Sequence, residues 1–140
     1  DKKTIKDVAL LVELHLRPHT FKMGWTDSAV RRYIVDAGTV LDDLNNLVRA
    51  DVTTKNKQKA QEIYDKLDEM ENRIKEVLEK EEMSKLRPPI TGDEIMEIFN
   101  LEPGPKVGLI MKALYEQRIN EGEVSKEDAI KLAGDIFKEL

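Results

Sequence analysis

The sequence contains no cysteine, so it has neither a disulfide framework nor a thiolate metal site. It has few aromatic residues, which make up 5% of the chain. No apolar run approaches the roughly 20 residues that a membrane-spanning helix needs, and the N-terminus carries no signal-peptide pattern. With 140 residues, the chain is about the length of one domain. We therefore expect a soluble protein whose simplest location is the cytoplasm, with no membrane partner.

The charges are numerous and unevenly distributed. Charged residues form 36% of the chain, and the formal net charge is −5. This balance argues against a general nucleic-acid binder, because such proteins are usually basic. However, Arg17, Lys22, Arg31 and Arg32 cluster near the start, whereas the acidic excess lies in the middle. A local basic patch can bind phosphate even when the whole molecule is acidic.

The apolar residues recur at helical spacing, and no segment alternates as a strand does, which predicts an all-α fold. We expect an irregular bundle of about seven helices, with one long helix at about 55–84 and a small C-terminal helical subdomain. Pro88 and Pro89 form a stiff linker that predicts a boundary between residues 1–86 and 87–140. The predicted helices cover residues 4–16, 27–37, 40–50, 55–84, 92–99, 105–120 and 126–139.

The first helix has the broadest apolar stripe, which predicts burial on most of its sides. The sequence opens almost inside this helix, and we expect it to be one part of a longer protein. The segment 19–25 that follows is predicted to be a loop.

Four hydroxyl residues stand where a helix N-cap is expected. A hydroxyl oxygen at this position accepts a hydrogen bond from a free backbone N–H of the first turn. The predicted caps are Thr26, Thr39 (paired with Asp42), Thr91 (with Glu94) and Ser125 (with Asp128).

The only histidines, His15 and His19, stand four residues apart, and Asp51 ends the third predicted helix. Imidazole and carboxylate groups suit several divalent metals, so His15 and Asp51 are candidate ligands. Pro18 lies between the two histidines, however, so their rings need not face the same way. The alternative is that each histidine is solvated or hydrogen-bonded locally.

Three arginines, Arg17, Arg31 and Arg32, could converge on a phosphate, because guanidinium groups match phosphate oxygens in a bidentate way. The alternative is that they form ordinary ion pairs with Asp27 or Asp36 on solvated faces.

The stretch "LEPGPKVGLIMKAL" sets two prolines and two glycines before an apolar helix that opens at Pro105. A helix N-terminus presents free backbone N–H groups and attracts anions. Gly104 and Gly108 would clear the approach, and Lys106 would add positive charge, although Glu102 opposes it. The alternative is a tight connection in which Gly108 lets another helix come close.

Several motifs carry a resemblance to a known family. The stretches "WTDSAVRRYIVDAG", "LDDLNNLVRADVTT" and "PPITGDEIMEIFNLEPGPKVGLIMKALYEQRINEGEVSKEDA" resemble the C-terminal half of bacterial CCA-adding tRNA nucleotidyltransferases, of the poly(A)-polymerase-related class. The resemblance covers nearly the whole chain. It implies that residues 1–86 are the C-terminal part of an HD-type helical body and that 87–140 are a tail. Asp51 would stand at the last HD-type aspartate.

The resemblance implies a transferase that adds CCA to the 3′ end of tRNA, using CTP, ATP and a divalent metal such as magnesium. In that family the chemistry resides in an N-terminal head with a Gly-Ser motif and paired aspartates. This chain has no Gly-Ser motif and no His-Asp dipeptide. We therefore expect the segment to be inactive alone and to hold no cofactor.

The leading hypothesis is a tRNA-binding region that grips the RNA backbone. The residues expected to carry it are Gly104, Lys106, Gly108 and Lys112, with Arg31 and Arg32 as second choices. Expected partners are tRNA, the catalytic head and a possible second copy. One alternative is a structural module that braces the head or dimerises through the long helix. Another is a remnant metal-dependent phosphohydrolase.

Overall fold

The computed structural model describes residues 1–81 and 87–140, without the side chains of Lys22 and Met23. Within these residues every regular element is helical and none is a strand, which confirms the predicted all-α fold. Short 3-10 helices cover Arg17–Met23 and Gly38–Val40. The α-helices are α1 (Lys2–Leu14), α2 (Asp27–Ala37), α3 (Leu41–Ala50), α4 (Lys57–Glu81), α5 (Gly92–Phe99), α6 (Pro105–Glu121) and α7 (Lys126–Glu139). None of the helices in these residues is long and apolar enough to cross a membrane.

Three of the four predicted N-caps are confirmed, at the starts of α2, α5 and α7. In each, a hydroxyl oxygen accepts a hydrogen bond from the backbone N–H three residues later. The pairs are Thr26 with Ala29 (3.2 Å), Thr91 with Glu94 (3.2 Å) and Ser125 with Asp128 (3.1 Å). The polar residue at each helix start therefore satisfies one of the amides that the helix itself leaves unbonded.

The predicted cap at Thr39 is wrong. The chain passes from α2 into a 3-10 turn at Gly38, whose φ of 54° an L side chain rarely adopts, and α3 begins only at Leu41. Val40 occupies the N-cap position without a side-chain hydrogen bond. Thr39 lies inside this turn, so its hydroxyl group does not stand at the N-cap position of α3.

Of the segment 19–25 that was predicted to be a loop, residues 19–23 belong to the 3-10 helix Arg17–Met23, and Pro18 lies in the first turn of that helix. Proline is tolerated there, since its fixed φ suits a helix start. The long helix is confirmed as α4 over Lys57–Glu81. Its predicted last residues, 82–84, and the predicted boundary at 86 lie outside the described residues.

The chain divides into two compact units, Asp1–Lys80 and Glu81–Leu140. In the first unit, α1, α2 and α3 pack against one another, and Arg49 of α3 pairs with two acidic residues of α4. Its core consists of Leu14, Phe21, Val30, Tyr33, Ile34, Ala37, Val40, Leu44, Val48, Leu67, Met70, Ile74 and Val77.

In the second unit, α6 packs against both α5 and α7. Arg118 of α6 forms a buried ion pair with Glu81, 3.0 Å between Nη1 and Oε1. Removing either partner of a buried pair would leave an uncompensated charge in the interior and destabilise the protein, so both residues are needed together. The core of the unit consists of Ile90, Ile95, Ile110, Leu114, Ala129 and Ala133.

The prediction that α1 is buried on most sides is wrong. Leu14 is the buried residue of this helix, with 2% of its surface exposed. Ile5, Val8 and Val12 lie along one face of α1, and Leu16 follows the helix. These four residues are 53–68% exposed, and we name them the α1 apolar stripe. Periodicity identifies apolar positions, but it does not say whether a partner covers each face. Within the described residues, the stripe faces away from the core of its unit.

Candidate functional site

The N-terminus of α6 has no side-chain cap, because Gly104 occupies the N-cap position. The amide of Gly108 makes the first backbone bond of the helix, 3.3 Å from the carbonyl oxygen of Gly104. The amides of Lys106 and Val107 precede this bond, and such amides have no partner within a helix. This terminus therefore presents donors and the positive end of the helix dipole.

The two glycines of this terminus have open surroundings. A Cβ atom built on Gly104 or on Gly108 meets nothing within 4 Å. By contrast, a Cβ on Gly134 in α7 would lie 3.9 Å from the ring of Phe99. The alternative interpretation, that Gly108 admits a neighbouring helix, is therefore not supported by the described residues. Gly108 instead leaves free space beside the first turn of α6.

The two lysines of α6 are both exposed, but they occupy different sides of the helix. At 100° per residue, Lys112 shares a face with Gly108, four residues earlier. Lys106 is six residues before Lys112 and lies about 120° away around the axis. The structure therefore brings Gly108 and Lys112 together and places Lys106 at the terminus, on another side. Exposed Glu102 precedes the terminus.

The three arginines near the start differ in exposure and in partners. Arg31 is only 8% exposed, so it offers less surface to a ligand than Arg32, which is half-buried. Arg17 pairs with Asp36 at 2.7 Å, as the ion-pair alternative predicted. Asp27 pairs instead with Arg73, at 2.6 Å.

Arg17 and Arg32 both line a cavity of about 350 Å³. Trp25 also lines this cavity.

The acidic middle of the chain is partly neutralised by contacts within the fold. Arg49 donates through Nε and Nη2 to the two carboxylate oxygens of Glu71, at 3.0 and 2.6 Å. Its Nη2 also donates to Asp68 at 2.5 Å. These hydrogen bonds, from Glu71 first and Asp68 second, raise the pKa of the Arg49 guanidinium above its usual value. Glu71 and Asp68 therefore stabilise the contact between α3 and α4.

Two curated proteins are similar to this chain. A CC-adding tRNA nucleotidyltransferase of Thermus thermophilus is 32% identical over 130 residues, which are 91% of this chain and 27% of that protein. An A-adding tRNA nucleotidyltransferase of Deinococcus radiodurans is 30% identical over 116 residues, 81% of this chain and 25% of that protein. The chain belongs to the tRNA nucleotidyltransferase family. It spans about a quarter of the length of each of these relatives. No family model and no solved structure gives a match.

The candidate metal ligands do not form a metal-binding group in the part of the chain that the structure describes. The Nδ1 atom of His15 hydrogen-bonds to the carbonyl oxygen of Val12, and exposed Asp51 ends α3. His19 lines a groove with Pro18 and residues of α4. In the described residues, no group of three histidine or acidic side chains could hold a metal ion. Local hydrogen bonding, the alternative stated for the histidines, accounts for His15.

Two aromatic residues were missed by sequence reasoning. Tyr115 is 41% exposed and follows Lys112 by three residues, so the two share a face of α6. Trp25, the only tryptophan, lines the cavity shared by Arg17 and Arg32. Its position immediately before the N-cap Thr26 is the one sequence signal that could have drawn attention to it.

Proposed function

We propose that this segment binds the tRNA of a tRNA nucleotidyltransferase and holds its backbone while a separate head carries out nucleotide transfer. The observation that carries the proposal is the open, uncapped N-terminus of α6. Its free amides and dipole attract an anion, and the space beside Gly104 and Gly108 admits a phosphate. Lys112 and Lys106 add charge on two sides of this terminus.

The backbone of folded RNA can be recognised by its shape and its phosphates without reading base sequence. Such recognition fits a helix terminus with lysines, because neither group discriminates between bases. Arg32, which is half-buried, is a second contact in this proposal, and buried Arg31 is a less suitable one.

The names of the two relatives support a role in holding tRNA. One is named for adding CC and the other for adding A, yet both are similar to this chain over most of its length. A segment shared by proteins that are named for adding different nucleotides is better suited to holding their common substrate than to choosing the nucleotide. In this proposal the choice of CTP or ATP, the divalent metal and the catalytic aspartates belong to the head.

The proposal is tested by measuring tRNA affinity through fluorescence anisotropy at low salt. We expect Lys106→Glu to weaken binding by about fivefold to tenfold, because it removes a phosphate contact and adds repulsion. The matched control is Lys131→Glu, which makes the same charge change at an exposed position of α7. Equal weakening by both variants, or none by Lys106→Glu, would contradict a contact at the α6 terminus.

A second candidate function is structural, and the α1 apolar stripe favours it. Three large apolar side chains on one face of α1, followed by exposed Leu16, are more than scattered surface residues, and such patches mark contact surfaces. The segment would then brace the head or pair two copies of the chain. Light scattering on the protein, alone and mixed with tRNA, separates the candidates. A dimer that ignores tRNA favours the structural role, and a monomer that binds tRNA contradicts the pairing.

A further inference from the structure

A cavity of about 350 Å³ lies between the 3-10 helix Arg17–Met23 and α2, with Trp25 of the connecting segment in its lining. Its volume falls within the range of about 300–1,000 Å³ that is usual for small-ligand pockets. One aromatic ring, two guanidinium groups, one carboxylate and two small residues form its walls. These residues are Arg17, Thr20, Trp25, Ala29, Arg32 and Asp36.

The indole of Trp25 is held in place from several sides. Its Nε1–H donates to the hydroxyl oxygen of Thr20 at 3.1 Å. Its ring meets Phe21 edge-on, with centroids 5.5 Å apart, and Tyr33 at a tilt, with centroids 5.1 Å apart. Arg73 donates to the Trp25 carbonyl oxygen and fixes the backbone. An aromatic ring held this way loses little freedom when a ligand stacks on it, and it can stack on any nucleobase.

The charged walls suit a phosphate. Arg17 and Arg32 each bring a guanidinium group, whose planar fork matches phosphate oxygens. Asp36 accepts a hydrogen bond from Arg17 at 2.7 Å and so orients that side chain. Ala29 is the smallest residue of the lining.

We propose that this cavity binds one nucleotide unit of single-stranded RNA, with the base stacked on Trp25 and the phosphate held by Arg17 and Arg32. The inference that the RNA is tRNA rests on the proposed tRNA-binding function. The base contact goes beyond it, because the α6 terminus offers backbone contacts only. Arginines alone would suffice for a phosphate, and apolar walls alone would suffice for an apolar ligand. An aromatic wall beside two arginines therefore favours a nucleotide, which has both a base and a phosphate.

Trp25 is the only tryptophan, so its intrinsic fluorescence reports directly on this cavity. The probes are a cytidylate trinucleotide and free CMP. We expect the trinucleotide to quench the fluorescence saturably and to bind at least fivefold more tightly than CMP, because it adds phosphate contacts. CMP that binds as tightly as the trinucleotide would overturn the assignment to RNA.

Two variants test the cavity without removing Trp25, whose ring belongs to the packing. Ala29→Leu fills the cavity with a good helix former, and we expect it to abolish the quenching. The matched control, Val35→Leu, adds a leucine at an exposed position of the same helix and should change nothing. Arg32→Gln keeps the cavity open and should lower the affinity for the trinucleotide by about fivefold. This variant provides a test even if Ala29→Leu fails to fold.

The outcomes separate this proposal from the tRNA proposal. If tRNA binds with the expected dependence on Lys106 but Trp25 fluorescence stays constant, the cavity proposal is wrong and the tRNA proposal stands. If the trinucleotide quenches Trp25 while tRNA does not bind, the cavity is supported and the tRNA proposal fails. Quenching that Ala29→Leu and Arg32→Gln both leave intact would overturn the cavity.

Discussion

Tyr33 is the residue whose ionisation is most clearly coupled to folding. Its side chain is fully buried, and its hydroxyl group donates to Asn45 at 3.1 Å. Burial raises the pKa of the Tyr33 hydroxyl far above its ordinary value of 10.0, and nearby Glu71 adds to the rise, while Arg17 opposes it. The folded protein therefore retains a proton that the unfolded chain releases at alkaline pH.

We expect the free energy of unfolding to fall as the pH rises above about 10, where unfolded tyrosine ionises. The sign follows because the folded state binds more protons than the unfolded state there. Tyr33→Phe removes the ionisable group and should flatten this decline, although it also loses the bond to Asn45. Urea titrations of both proteins between pH 8 and 11 provide the measurement. Parallel declines would mean that Tyr33 is not the responsible group.

The helix starts allow a matched comparison at the scale of elements. Thr91 caps α5, whereas Thr39, predicted to cap α3, lies in a 3-10 turn and makes no cap. We expect Thr91→Ala to lower the free energy of unfolding by about 1 kcal/mol. Thr39→Ala should change it by less than about 0.5 kcal/mol, as a surface substitution does. Thermal or urea unfolding of the two variants decides, and equal losses would contradict the observed caps.

Gly108 lowers the stability of α6 relative to an alanine at this position, and a ligand contact with its bare backbone would account for it. Because a Cβ atom there meets nothing within 4 Å, Gly108→Ala should raise the free energy of unfolding by about 0.5–1 kcal/mol. If an RNA backbone approaches this face, the same substitution should weaken tRNA binding. The two measurements on one variant test the geometry and the function separately. A more stable variant with unchanged tRNA affinity would remove Gly108 from the proposed contact.

The elements that the sequence predicted well are those whose signal is local. Caps such as Thr26 and Ser125 depend on a hydroxyl and the next three residues, so the pattern was sufficient. The exposure of Val12 and the burial of Arg31 depend on which face meets a neighbour, and a single sequence does not record that. The cavity at Trp25 was missed for the same reason, because Arg17 and Arg32 come from elements whose approach is tertiary.

At the scale of the whole molecule, an acidic protein must bind a polyanion through local charges. The net charge of −5 repels tRNA at long range, although Glu71 and Asp68 are partly compensated by Arg49. The proposed contacts involve two lysines of α6 and Arg32, so only about three phosphates would be neutralised. Affinity should therefore be modest and concentrated at few positions, unlike that of a protein with a broad basic surface.

This small number of contacts sets the salt dependence that we expect. Each neutralised phosphate contributes a slope of about −0.7 to −0.9 in log affinity against log salt, so three contacts give about −2 to −3. Lys106→Glu should reduce the steepness by about one, whereas Lys131→Glu should leave it unchanged. Anisotropy titrations of tRNA at several salt concentrations provide the slopes. A slope near zero would mean that phosphates are not bound, and one far steeper than −3 would mean that the RNA surface extends well beyond the α6 terminus and Arg32.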